Sequence, residues 1–240
     1  MTLLAAAGFE TLGTSHLLML AIFFAGIGPV VALGRRVRGT PDEMRVSRVF
    51  AVLIPCFTIP LQVIDFLPGN YDVQTTLPLQ LCDFAWIAAV AALWTHRRTP
   101  VALTYFWGLA LTTQALITPA LNRDFPDPKF IAYWGMHLLI VWAAIFLTWG
   151  IGLHPTWRDY WRTVAITAAW AVTVFGFNLA LGTNYGFLNR KPGTSVLDLL
   201  GPWPLYVVVE IALVAGVWAL MTWPWERTRR AGRVRVSVGE

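Results

Sequence analysis

Charge is what this sequence has least of. Only 13% of its 240 residues are Asp, Glu, Lys or Arg, roughly half the share of a soluble domain. Beside a hydrophobic content of 57%, that scarcity excludes an ordinary soluble enzyme. Cysteine is scarcer still. Cys56 and Cys82 are the only two, too few for a disulfide framework, and both lie inside apolar runs, so each reads as a free thiol. Lysine occurs twice, so arginine carries the basic charge. The net charge of +5 does not imply a nucleic-acid partner, because the arginines stand at the ends of apolar stretches, as they do in membrane proteins. No basic segment precedes the first apolar run, and no cleavable signal peptide is expected. There is no GxSxG, no nucleotide-binding glycine loop, and no HxxxH or CxxC pair. Neither a cofactor nor a metal is expected.

What the sequence does have is long apolar runs. Seven stretches approach the roughly 20 residues that a bilayer-spanning helix needs: 15–34, 47–67, 77–95, 100–119, 129–150, 160–182 and 204–223. A backbone in hydrocarbon must satisfy its own hydrogen bonds, so each is expected to be a helix, with Pro29, Pro55 and Pro60 kinking the first two. The fold class is therefore all-α: one seven-helix transmembrane domain over 1–226 and a basic tail over 227–240. Arginines alternate in a way that fits seven spans. Arg35, Arg36, Arg38, Arg45, Arg48, Arg97, Arg98, Arg158, Arg162 and the five arginines of the tail fall on one side. Arg123, Lys129, Arg190 and Lys191 fall on the other. The positive-inside rule then places the N-terminus outside and the C-terminus in the cytoplasm. The tail reads as a solvated retention signal that touches anionic lipid.

Polar residues inside the spans are costly, and here they gather near one level. Cys82 in the third span and His137 in the fifth lie near the outer ends, as do Gln114 and Thr118 in the fourth and Asn178 in the sixth. Asp65, Glu210 and His16 belong to the same layer, and the inner halves have almost nothing comparable. Two readings are open. Such residues can be polar glue between helices, or they can line a site entered from the outer leaflet. The string "LPLQLCDFAW" concentrates the second possibility, with Gln80, Cys82 and Asp83 in four residues. Cys56 lacks polar company and reads as structural.

A thiol in apolar surroundings is inert until a base takes its proton. A histidine within reach supplies that base, and the thiol can then attack an ester carbonyl to give a thioester. Asp83 or Glu210 would orient the imidazole, or would pair with Arg123 or Arg190 as structural ion pairs. Asn178 or Gln114 would donate to the developing oxyanion. In the rival metal chemistry, only His16 and His137 are placed to share an ion.

Residues 183–206, "TNYGFLNRKPGTSVLDLLGPWPLY", form the most distinctive segment. With "LPLQLCDFAW" and "WGMHLL" it resembles the YwaF-like family of bacterial integral membrane proteins, relatives of the transmembrane protein 164 acyltransferases. The resemblance runs from about 15 to 222. It implies acyl transfer between phospholipids without coenzyme A, in a bacterial plasma membrane, with Cys82 at the family's cysteine and His137 at its histidine. The substrates implied are phospholipids and lysophospholipids. Many members carry histidine where this chain has Gln80, and Gln80 cannot act as a base. The 183–206 segment is too polar to span, and Pro192, Gly193, Gly201, Pro202 and Pro204 break any helix in it. It is either a lid or a mouth where Asn184, Tyr185, Asn189, Arg190 and Lys191 hold a lipid phosphate. Beside the enzyme stand two non-enzymatic readings, a transporter or lipid-binding protein and a structural subunit. The off-centre polar layer and the absence of an internal repeat tell against a transporter.

Overall fold

The computed structural model describes residues 8–191 and 199–238, and all regular structure among them is helical. Seven helices follow the seven apolar stretches: α1 (Thr14–Val37), α2 (Glu43–Asp65), α3 (Leu81–Thr95), α4 (Arg98–Ile117), α5 (Pro128–Ile151), α6 (Trp157–Leu181) and α7 (Leu205–Val238). Six are long and apolar enough to cross a membrane; α3 is the shorter one. The prolines expected to kink α1 and α2 lie inside continuous helices.

Two of the boundaries differ from expectation for local reasons. The stretch 77–95 becomes helical only at Leu81, which leaves α3 with 15 residues, about 22 Å of rise. Pro78 disfavours a helical Leu77, and the residues before Leu81 are bonded to another loop. Cys82 is consequently the second residue of its helix rather than one buried a turn and a half inside a span. At the other end, α7 does not stop where the apolar run stops. Arginine is a good helix former, so the basic segment continues the helix to Val238.

The helix starts are coded locally. Asp127 caps α5, its carboxylate accepting from the Lys129 N–H at 2.8 Å, with Pro128 in the first turn. Thr156 and Asp159 form a reciprocal capping box at the start of α6. Two helices carry π-helical turns, Trp107–Thr112 within α4 and Phe146–Ile151 at the end of α5.

The chain divides into two compact units. One comprises α1, α2, α3 from Cys82 onward, α4 and α5; the other comprises residues 73–81 with α6, α7 and their connection. In the first unit α5 is the axis: 72% of its apolar window is buried, against 11% for α1 and 22% for α2. Phe130, Trp134, Leu138, Val141 and Ile145 of α5 pack with Phe23 of α1 and Leu116 of α4. Glycines set how closely α1 approaches: a Cβ on Gly34 would stand 2.6 Å from the Cα of Gly150, and one on Gly26 would enter the Trp142 ring. The Trp142 indole N–H reaches the Phe23 carbonyl at 3.2 Å. Large apolar residues left on the outside, among them Leu18, Val172 and Leu220, suit a hydrocarbon surround rather than water.

Candidate functional site

His137 is buried near the middle of α5. Its Nδ1 lies 2.7 Å from the backbone carbonyl of Tyr133, one turn earlier. A carbonyl only accepts, so Nδ1 carries the proton in neutral imidazole and the lone pair sits on Nε2. The Tyr133 ring covers the imidazole, centroids 4.1 Å apart and planes 33° from parallel. The Tyr133 hydroxyl donates to the Ala115 carbonyl of α4 at 2.8 Å. Cys82 lies within electrostatic reach of that same phenol. Tyr133 therefore has the imidazole on its face and the thiol in its neighbourhood. Among the described residues no hydrogen bond joins Cys82 to His137 directly. Tyr133 was not among the residues that sequence reasoning singled out, although its place one turn before His137 was a usable signal.

Cys82 is a part-buried free thiol. Its place in the first turn of α3 brings the backbone N–H groups of Cys82 and Asp83 near the sulfur, where helix N–H groups have no carbonyl partner of their own. Cys56 is exposed on α2, its Sγ 3.2 Å from the Val52 carbonyl.

Other members of the expected layer have structural duties. His16 is fully buried; its Nδ1 accepts from the Leu12 N–H at 2.9 Å, and its Nε2 meets the Leu116 carbonyl at 2.8 Å. Both ring nitrogens are thus engaged, which removes His16 as a metal partner for His137. Among the described residues no three His, Cys, Asp or Glu side chains group as metal ligands would. Gln114 is exposed on α4. Asp65 meets Lys129 at 3.5 Å, and Arg123 pairs with Asp127 at 3.6 Å.

The second unit holds the distinctive loop, and Asn178 organises it. The buried Asn178 donates both amide protons, to the Tyr185 carbonyl at 2.9 Å and to Asn189 Oδ1 at 3.0 Å. Its Oδ1 accepts from the Thr183 hydroxyl at 2.7 Å and the Tyr185 N–H at 2.9 Å. No donor is left for an oxyanion, which corrects that expectation. Tyr185 is buried and ties the loop to residues 73–80: its hydroxyl accepts from Leu77 N–H and donates to the Val73 carbonyl. Gln80 Oε1 accepts from the Gly186 N–H at 2.9 Å, and Trp170 donates to the Leu79 carbonyl. Asn184 folds its amide onto the backbone of Asn189 and Arg190. These bonds fasten residues 184–189 to residues 73–80 and engage Asn184, Tyr185 and Asn189, the asparagines and tyrosine expected at a phosphate. Arg190 is exposed, Lys191 lies 5.5 Å from the Tyr206 ring centroid, and Glu210 follows Tyr206 by one turn of α7. Gly201, Pro202 and Pro204 precede α7 as helix breakers; Pro192 and Gly193 lie outside the described residues.

With this arrangement in view, the comparison with protein families is decisive: residues 11–222 match the TMEM164 family. The chain belongs to the TMEM164 family. No curated protein and no solved structure matches it. As a TMEM164-family chain with helices long and apolar enough to cross a bilayer, it is a multi-pass membrane protein.

Proposed function

We propose that this TMEM164-family protein transfers acyl groups between membrane phospholipids, with Cys82 as nucleophile and His137 as general base. The observation that carries the reading is Tyr133, which covers the His137 ring and neighbours Cys82. With Nδ1 committed to the Tyr133 carbonyl, Nε2 takes the thiol proton as sulfur attacks the ester carbonyl of a phospholipid. The tetrahedral intermediate collapses with cleavage of the ester C–O bond. Nε2 returns the proton to the departing oxygen, leaving a lysophospholipid and an acyl thioester on Cys82. A lysophospholipid hydroxyl, or water, then gives its proton to Nε2 and attacks the thioester, releasing the new ester or a free fatty acid and restoring the thiol. Catalytic contacts often close only when substrate binds, which accommodates a resting thiol not bonded to the imidazole. Gln80, bonded to Gly186, takes no part in proton transfer. The reading also includes the orientation drawn from the arginines, with the site in the outer half of the plasma membrane of a bacterium.

Intact mass spectrometry after incubation with phosphatidylcholine vesicles tests it. The expected result is a mass gain of one acyl chain, removed by hydroxylamine and absent from Cys82→Ser. No adduct, together with no lysolipid, fatty acid or remodelled lipid in the same vesicles, overturns the reading.

A further inference from the structure

A groove of about 310 Å³ opens on the first unit, lined by Thr58, Ile59, Gln62 and Val63 along one face of α2, by Phe66 and Leu67 just past its end and by Trp86 of α3. Its walls are almost wholly apolar. It reaches the size at which concave apolar sites begin to hold small ligands. Trp86 follows Cys82 by four residues, so indole and thiol lie on the same face of α3, one turn apart. Trp86 therefore lines the groove one helical turn along α3 from Cys82, and the groove follows about two turns of α2. Ile59, Val63 and Phe66 are each about half exposed, which leaves the groove open along its length to the surrounding hydrocarbon.

We infer that this groove holds the acyl chain of the lipid presented to Cys82. The inference rests on the acyl-transfer reading and adds to it where the chain lies. An ester carbonyl at the sulfur has its first methylenes at the level of the Trp86 turn, and the groove continues from there. Each methylene moved from one apolar surround to another gains little, so the selectivity comes from shape. A chain that fits is guided to the sulfur, and one that overfills the groove is not.

Two readouts test this on the full-length protein in vesicles. The first uses a phosphatidylcholine carrying a photoreactive diazirine on its acyl chain, with cross-links mapped by peptide mass spectrometry. Labelling at Ile59, Val63 and Trp86 is expected to exceed that at Leu17 and Leu18, exposed apolar residues of α1, by severalfold. Equal labelling overturns the inference whatever the enzyme does. The second reads the chain attached to Cys82 from mixed-chain vesicles. Val63→Trp, which fills the groove, is expected to shift the preference toward shorter chains by about tenfold for a few methylenes. Val63→Ala, which folds more readily, is expected to shift it toward longer ones. A thioester whose chain distribution is the same in wild type and both variants overturns the inference and leaves acyl transfer standing. Enriched labelling with no thioester, lysolipid, fatty acid or remodelled lipid in wild type overturns acyl transfer, and with it the role of this chain as donor.

Discussion

One residue fixes both the tilt and the tautomer of the His137 imidazole: Tyr133, through its ring at 4.1 Å and its carbonyl oxygen at 2.7 Å. The two contacts separate under mutation. Tyr133→Phe keeps both and loses only the hydroxyl bond to Ala115, so it is expected to cost about 1 kcal/mol of stability and to retain most acyl transfer. Tyr133→Ala frees the ring of the imidazole and is expected to lower the acylation rate by about tenfold or more. Single-turnover thioester formation, beside melting in detergent, separates the two.

His137→Ala removes the proposed base and leaves the thiol. Acylation of Cys82 is expected to slow by about 10²–10⁴-fold, while the adduct, once formed, remains on sulfur. Time-resolved intact mass spectrometry reads this directly. A rate equal to wild type would assign His137 a packing role only.

Asn178 makes four side-chain hydrogen bonds to three residues inside the second unit. Asn178→Ala leaves a backbone N–H and a carbonyl of Tyr185 without their amide, and a loss of roughly 2–4 kcal/mol is expected. Asn178→Asp keeps the accepting oxygen but sets a buried carboxylate oxygen against the Tyr185 carbonyl and Asn189 Oδ1, and is expected to lose at least as much. Limited proteolysis of the loop between α6 and α7, compared with cleavage elsewhere, shows whether the damage stays local.

Gly34 and Gly150 meet backbone to backbone. Gly150→Val forces α1 away from α5, and overpacking of this kind costs about 1–3 kcal/mol or more. Gly28, whose Cβ would meet nothing within 4 Å, is the control: Gly28→Ala is expected to leave the melting temperature unchanged or raised.

His96, in the turn between α3 and α4, gives a pH dependence of stability. Burial lowers its affinity for a proton below the ordinary value of 6.5, and Glu43, 3.4 Å from Nδ1, opposes this less strongly. Its Nε2 meets the Ser47 hydroxyl at 3.0 Å. Below pH 6.5 the unfolded chain binds a proton that the native histidine resists, so stability is fully present above that value and declines as pH falls through it. Melting curves from pH 8 to pH 5 are expected to show the decline in wild type and a smaller one in His96→Gln.

Much of the fold was legible in the sequence because hydrophobic length is a blunt, strong signal. The seven apolar runs became seven helices. Where boundaries slipped, tertiary bonds or propensity outweighed hydropathy: Leu77 and Gln80 are held by Tyr185 and Gly186, so α3 starts late, and arginines prolong α7. Depth along a helix places residues at a level but does not say which way they face. Cys82 and His137 share a level by that measure, and Tyr133 packs on His137; Asn178 and Gln114, at the same level, face a loop and the outside. Hydrogen-bond saturation of an asparagine such as Asn178 depends on backbone groups in a loop, and no sequence pattern reports those.

The π-helical turns of α4 and α5 carry a consequence for reading relatives of this chain. Each places one more residue in a turn than an α-helix has, so side chains before and after it are rotated by about one residue's 100° relative to an uninterrupted wheel. A relative that lacks the extra residue presents the same faces only if its alignment carries a one-residue gap inside a membrane span. Aligned without that gap, the residues following Trp107–Thr112, including Ala115 that receives the Tyr133 hydroxyl, would be compared with residues facing elsewhere.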